Sequence, residues 1–291
     1  MRKITIAIDF DNTITVGAGQ FPKCGKLRKG AKETINTWIE IGHDVIINTC
    51  RNSVDKAEQM CIDFLNYNGI RYSRINSNSP QSIAKYGRDT RKISADIYFD
   101  DKSMAVDFEE FDKMVSKMEK PTIIAIIGES GSGKSMAADY IKETFGISLI
   151  QSRTTRKQRD ESDTGHLFVT NKEFDSYKKE DMIAFTEFGG NRYCCLHSDV
   201  NEWSNTYVID ETGLKYLTKN FADRYNIFSI RILRAMEARI ADVGKERVDR
   251  DKGKFTMKNE EFSVVVANTT NVKENLFSMI DDVIAKNMLY L

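Results

Sequence analysis

Two consecutive α/β domains are predicted for this 291-residue chain, and three observations predict them. Apolar runs of strand type recur along the sequence. Amphipathic helical patterns lie between them. Two of the runs, KITIAIDFDNT from residue 3 and PTIIAIIGESGSGKS from residue 121, break off into polar turns whose residue types suit phosphate chemistry. Continuous apolar strands alternating with helices form parallel sheets covered on both faces, and the length exceeds what one core ordinarily holds. The boundary is placed near residue 119, between the charged helix end KMVSKMEK and Pro121, giving domains 1–118 and 119–291.

In the first domain, strands are expected at 3–9, 44–49 and 95–100. Val54, Ala57, Cys61, Phe64 and Leu65 keep helical spacing, as do Met104, Phe108, Phe111, Val115 and Met118. In the second, strands are expected near 122–127, 147–151, 206–210, 226–232 and 262–267. An amphipathic helix carrying Val272, Leu276, Met279, Ile280, Val283 and Ile284 closes the chain.

Lys plus Arg and Asp plus Glu both number 43, so net charge gives no sign of a nucleic-acid or membrane partner. The five cysteines (Cys24, Cys50, Cys61, Cys194, Cys195) form no CxxC pair, and His43, His166 and His197 make no zinc pattern. A reduced, intracellular setting fits that usage. With no signal-type opening and no apolar stretch of membrane length, the expectation is a cytoplasmic protein without a membrane partner.

Asp9 and Asp11 close the first strand. On an extended chain residues two apart share a side, so their carboxylates are expected together at the strand's C-terminal edge. Like charges there call for a cation. Thr49 ends the second strand in DVIINTCR. Lys92 precedes the third, with Lys85 as the alternative, and Asp100 and Asp101 end it in ADIYFDD. Ligands of open parallel sheets bind at the carboxyl ends of the strands, and clustered carboxylate oxygens suit Mg²⁺.

This constellation resembles the haloacid-dehalogenase (HAD) phosphatase superfamily over about residues 1–118. The resemblance implies a HAD-like Rossmannoid parallel sheet. No large cap is expected, because only one helix fits between Asp11 and Thr49 and no large insertion precedes Asp100. It implies Asp9 as the nucleophile that becomes an aspartyl-phosphate. Asp11 would protonate the leaving oxygen and then activate water. Thr49 would hold the phosphate and Lys92 would offset its charge. Mg²⁺ would lie among Asp9, Asp11 (through its carbonyl), Asp100 and Asp101.

GESGSGKS, residues 128–135, fits GxxxxGK[ST] between a strand and a helix. Its glycines let backbone N–H groups surround phosphates at a helix N-terminus. Gly128, Ser130, Gly131, Ser132, Gly133, Lys134 and Ser135 form the cradle, with Lys134 reaching the phosphates of ATP and Ser135 ligating Mg²⁺. About twenty residues on, Arg153, Arg156, Lys157 and Arg159 crowd one polar stretch, and arginine forks match phosphate oxygens in pairs.

Here the chain resembles guanylate kinase and its nucleoside-monophosphate kinase relatives, over about residues 122–288. The resemblance implies a P-loop parallel sheet with a lid. Ser152, Arg156 and Arg159 match the family's S-x-x-x-R-x-x-R clamp for the acceptor's phosphate. EFGGNRY places Tyr193 at an acceptor contact. RIADVGKERVDRD resembles the lid, with Arg239, Arg247 and Arg250 toward the transferred phosphate, and YVID places Asp210 at a metal-water or acceptor contact. Departures are His166 at a family tyrosine, Ala184 at a guanine-reading Glu, and Thr212 at the second acid of DxD. A base site without its carboxylates loses discrimination, so the resemblance implies phosphoryl transfer rather than guanine specificity.

The expected function is therefore a Mg²⁺-dependent phosphatase joined to an ATP-dependent kinase acting on a small-molecule nucleotide, a nucleoside or deoxynucleoside monophosphate. A polynucleotide kinase–phosphatase acting on nucleic-acid ends joins the same two superfamilies and is the first alternative. A catalytically decayed nucleotide-binding module is the second. The Ser-Arg-Arg clamp favours an acceptor that already carries a phosphate, and intact Asp9, Asp11, Lys134 and Ser135 argue against decay.

Overall fold

The structure is a computed structural model that describes residues 2–17, 21–51, 56–158, 161, 163, 165–269 and 272–287. Contacts divide the chain into two units, Met1–Glu119 and Lys120–Leu291, one residue beyond the boundary read from the sequence.

The first unit contains, in order, β1 (Thr5–Ile8), β2 (Thr15–Val16), β3 (Lys26–Leu27), α1 (Ala31–Glu40), β4 (Asp44–Ile47), α2 (Ala57–Asn68), β5 (Arg74–Ile75), α3 (Pro80–Tyr86), β6 (Ile97–Phe99) and α4 (Phe108–Met118). Its sheet runs β5-β4-β1-β6, and every pairing is parallel. The strand alternation decides the layers. Ile6, Ile8, Val45 and Ile47 join Trp38, Phe99 and Phe111 in the larger core, while Ala7 and Ile46 pack with Ile93 on the other face. Phe99 stacks on Phe111 with ring centroids 4.0 Å apart, which docks α4 onto the sheet. Met104 precedes that helix and packs on its core from the connecting turn. Val54 lies outside the described residues.

The second unit contains β7 (Thr122–Ile127), α5 (Lys134–Phe145), β8 (Ser148–Ile150), β9 (Ser152–Thr154), β10 (His166–Phe168), α6 (Asn171–Phe174), β11 (Met182–Phe188), β12 (Asn191–Leu196), β13 (Ser204–Val208), α7 (Glu211–Phe221), β14 (Asn226–Leu233), α8 (Met236–Val243), α9 (Lys245–Asp249), β15 (Val264–Ala267) and α10 (Lys273–Asn287). Five strands form a parallel sheet, β15-β14-β7-β13-β8, with β7 at its centre. Residues Ile123 to Ile127 are fully buried, as a strand covered on both faces requires. In α10, Leu276, Ile280, Val283 and Ile284 are buried, whereas Val272 stands exposed ahead of the helix.

A second sheet, β10-β9-β12-β11, was not expected from the sequence. Its strands are short or broken by polar residues, so neither apolar runs nor clean alternation mark them. The β11–β12 hairpin turns at Gly189 and Gly190, whose φ values are +58° and +75°. A two-residue turn with both φ positive matches the strand twist and strongly favours glycine.

Candidate active sites

The first site forms where β1 ends. Asp9 N donates to Phe99 O at 2.9 Å, which ties it to β6. Its Oδ2 accepts Thr13 Oγ1 at 3.1 Å, and Thr13 Oγ1 in turn accepts the Asp101 N–H at 3.0 Å. Burial pushes the Asp9 carboxyl up to about 7, and the charges of Asp100 and Asp11 add to that rise while Thr13 and the Phe10 backbone oppose it.

The charge of Asp11 acts on Asp9, as expected of carboxylates placed near each other. β1 ends at Ile8, Asp9 stays extended at φ −70°, ψ 153°, and the chain then turns through Phe10–Ile14, with Asn12 at φ 61°. The Asp11 carboxylate takes a two-pronged contact from Arg51, Nε to Oδ2 at 2.9 Å and Nη2 to Oδ1 at 2.8 Å. Arg51 is almost fully buried, donates to Pro22 O at 2.6 Å, and lies over the rings of Phe10 and Phe21.

The expected Mg²⁺ set, Asp9, Asp100 and Asp101 with the Asp11 carbonyl, forms no cluster of three acidic side chains. Among the described residues no three His, Cys, Asp or Glu side chains group as metal ligands. Asp101 carries Lys102 Nζ at 3.0 Å, and Asp100 Oδ1 accepts the Lys102 N–H at 2.8 Å. Asp9 and Asp100 remain as facing carboxylates, a hard-oxygen pair that fits Mg²⁺ together with backbone carbonyls. Thr49 N is held by Asn76 Oδ1 at 2.8 Å, and Thr49 Oγ1 accepts the Arg51 N–H at 3.2 Å. Lys92 lines a cavity of about 360 Å³ with Asn48 and Asp100, whereas the Lys85 ammonium lies over the Tyr86 ring. Asn78, which is buried, fixes the Lys92 segment by donating to Lys92 O at 3.2 Å and accepting from Ser94 N.

The second site forms where β7 ends. Gly133, at φ +104°, opens α5. Gly128 is required by space, since a Cβ there would meet Ile232 O at 2.5 Å. Lys134 Nζ donates to Glu129 O at 2.9 Å, and burial lowers the ammonium to about 8 against the opposing charge of Asp251. Among the described residues Ser132 Oγ is buried without a hydrogen-bond partner, and Ser135 stands exposed at the head of α5.

Two cavities adjoin the loop. One, of about 200 Å³, is lined by Ser130 and Lys134 of the loop, by Ser152, His166, Ala184, Thr186, Tyr193 and Asp210, and by apolar groups including Phe185 and Phe255. In it Ser152 Oγ and Tyr207 Oη lie 3.0 Å apart. Asp210 caps α7 by accepting Gly213 N at 2.7 Å and also accepts Thr186 Oγ1 at 3.0 Å. The other cavity brings Ser130 together with Arg156, Asn191, Tyr193, Arg247, Arg250 and Asp251. The Arg156 fork is engaged by Asp163, at 2.7 and 3.1 Å. Arg159 lies outside the described residues. Arg239 lines neither cavity. It is buried against the loop and paired with Glu129 at 3.1 Å.

The residues that sequence reasoning missed are Arg51, Asn78, Tyr207 and Asp251. Arg51 follows Thr49 by two and could have been flagged from that spacing. Tyr207 and Asp251 lie inside YVID and RIADVGKERVDRD, which were marked for other residues, and Asn78 carries no local signal.

No family model matches the chain. It is 34% identical over 88 residues to a guanylate kinase from Fusobacterium nucleatum, a match covering 29% of this chain and 48% of that protein. The chain thus spans about half the length of that curated relative. Among solved structures, a guanylate kinase from Anaplasma phagocytophilum matches at 20% identity and a TM-score of 0.45, covering 59% of this chain and 88% of that one. A conserved protein from Bacteroides thetaiotaomicron matches at 24% identity and a TM-score of 0.34, over 39% of this chain and 90% of that one. The chain contains a region similar to guanylate kinase.

Proposed function

We propose that the chain is a bifunctional phosphoryl-transfer enzyme. Its second unit would pass the γ-phosphoryl of ATP to a nucleoside or deoxynucleoside monophosphate, and its first would hydrolyse a phosphomonoester. The observation that carries the kinase reading is the cavity that joins Ser130 of the P-loop to Arg156, Tyr193, Arg247 and Arg250. A P-loop supplies a donor site, and convergent arginines beside it suit a second phosphate. The acceptor's phosphate would take the Arg156 fork in exchange for Asp163. Its base would enter the adjoining 200 Å³ cavity. The Lys134 ammonium would follow the phosphoryl group as charge moves to the leaving oxygen. Ala184 supplies no carboxylate to that cavity, so guanine is not proposed as the base.

In the first unit, Asp9 Oδ would attack phosphorus while the bond to the leaving oxygen breaks, giving an aspartyl-phosphate. Asp11 would give its proton to that oxygen, and later take one from the water that releases phosphate. To do so it must exchange Arg51 for the substrate. Arg51 would hold Asp11 in place between turnovers. Mg²⁺, held by Asp9 and Asp100 in the first unit and by Ser135 in the second, would neutralise phosphate charge. The Arg156 fork suits an acceptor that brings its own phosphate, which weighs against the 5′-hydroxyl of a nucleic-acid end.

Paired variants of the full chain test this reading. Asp9→Asn keeps the shape and removes the nucleophile, so phosphate release should vanish while ATP-dependent transfer persists. Lys134→Ala should cost transfer about 10²-fold or more, because preorganised charge is worth a few kcal/mol in a transition state. Phosphate release should persist in Lys134→Ala. Loss of both activities in either variant would refute two separate sites.

A further inference from the structure

Asp251 is a buried carboxylate that the proposed chemistry does not use. It lies in the turn after α9, 4% exposed, with its N–H on Val248 O at 3.1 Å and its carbonyl accepting Lys254 N at 3.0 Å. Its Oδ2 accepts the N–H of Ser130, inside the GESGSGKS loop. That N–H belongs to the set a P-loop turns toward phosphate. Of the charges around Lys134, that of Asp251 acts most strongly on the ammonium. Asp251 is also a wall of both cavities, and in one of them it sits among Arg156, Arg247 and Arg250.

A carboxylate oxygen and a phosphate oxygen make the same demands on an N–H and an ammonium. Their like charges keep them from sharing one cradle. We propose that Asp251 is a built-in competitor for the donor's phosphates: in the ligand-free protein its carboxylate occupies part of the P-loop cradle, and a nucleoside triphosphate binds by displacing it. The proposal rests on the reading of residues 128–135 as a triphosphate site.

The chain around Asp251 fits a movable plug between two anchors. On one side is α9. On the other, the N–H groups of Thr256 and Met257 are held by Glu211 Oε2 at 2.7 and 2.9 Å, at the head of α7. Phe255, between Asp251 and that anchor, lines the 200 Å³ cavity. Displacing Asp251 therefore shifts a segment that also walls the proposed acceptor site.

The test uses the full chain and calorimetric titration with ATP and with inorganic tripolyphosphate, each with and without Mg²⁺. Asp251→Asn keeps the shape and an acceptor oxygen and removes the charge. Hydrogen bonds to charged groups differ from neutral ones enough to expect binding tighter on the order of tenfold, for both ligands and in both conditions. Equal affinities in wild type and Asp251→Asn would overturn the proposal. Weaker binding confined to the Mg²⁺ titrations would also overturn it, by making Asp251 a metal ligand. Lys134→Ala is the control for the underlying reading. If it leaves ATP affinity unchanged, residues 128–135 hold no triphosphate and the proposal falls with that reading. A wild-type measurement removes dependence on the variant's folding. Infrared difference spectra of protein labelled with ¹³C at Asp carboxylates should show a carboxylate band shift when tripolyphosphate is added. Spectra without that shift would contradict displacement.

Discussion

Lys134 shows how one residue's surroundings prepare it for a ligand. Burial disfavours its ammonium, and its pKa falls to about 8 although Asp251 and Glu129 oppose the fall. The folded protein therefore binds fewer protons here than the unfolded chain between pH 8 and 10.5. Through this group stability rises with pH across that window, and the penalty is fully present below it. In the proposed reading a bound triphosphate would restore the charge. At pH 9, ATP binding should take up close to one proton through Lys134, and at pH 6.5 almost none. Titration calorimetry in two buffers of different ionisation enthalpy measures this, and Lys134→Met should abolish the uptake at pH 9. Uptake that persists in Lys134→Met would place the titrating group elsewhere. The glycine-rich turn at residues 128–135 was legible in the sequence because its glycines are backbone requirements: Gly128 has no room for a Cβ. The Asp11–Arg51 pair was not legible. It depends on a coil at Phe10–Ile14 that ends the strand early, and on a partner forty residues away. Asp251 was hidden for the same reason, since only folding brings it to Ser130.

At the scale of elements, the parallel strands were readable because burial on both faces leaves uninterrupted apolar runs, as in TIIAII of β7. The second sheet of the kinase-like unit was not. SRT and HLF are too short to show a period, β11 carries the polar residues Thr186 and Glu187 near its end, and β12 opens on Asn191 and Arg192 before its two buried cysteines. The resemblance to guanylate kinase marked EFGGNRY as an acceptor contact without revealing that it is a hairpin. That hairpin carries Ala184 and Thr186 on one strand and Tyr193 on the other, so its register builds the wall of the 200 Å³ cavity proposed for the acceptor. Gly189 has nothing within 4 Å of an added Cβ, so a substitution there meets strain and not a clash. Gly189→Val should lower stability by roughly 1–2 kcal/mol, the cost of a left-handed conformation for an L-residue. It should raise the acceptor KM several-fold and leave the ATP KM unchanged. Chemical denaturation and steady-state kinetics check the two halves separately. A shift in the ATP KM equal to that of the acceptor would deny the hairpin a site-specific role.

For the whole molecule, the central claim is that two phosphate-handling sites sit on two α/β units, and that the kinase acceptor is a mononucleotide. No helix among the described residues is long and apolar enough to cross a membrane. The alternation of strands and helices made both α/β units legible. The acceptor's class rests on one side chain, Arg156, whose fork now holds Asp163. A monophosphate on that fork predicts that Arg156→Ala raises the acceptor KM and leaves the ATP KM nearly unmoved. A nucleic-acid end would instead place backbone phosphates there, and turnover would fall steeply with salt and improve with chain length. The most direct measurement is ATP-dependent phosphorylation by wild type and Arg156→Ala of every common nucleoside and deoxynucleoside monophosphate, and of 5′-hydroxyl oligonucleotides, at two salt concentrations. The account predicts turnover of at least one mononucleotide, a raised KM for it in Arg156→Ala, and little salt dependence. Robust wild-type turnover of the oligonucleotide with none on any mononucleotide would contradict it.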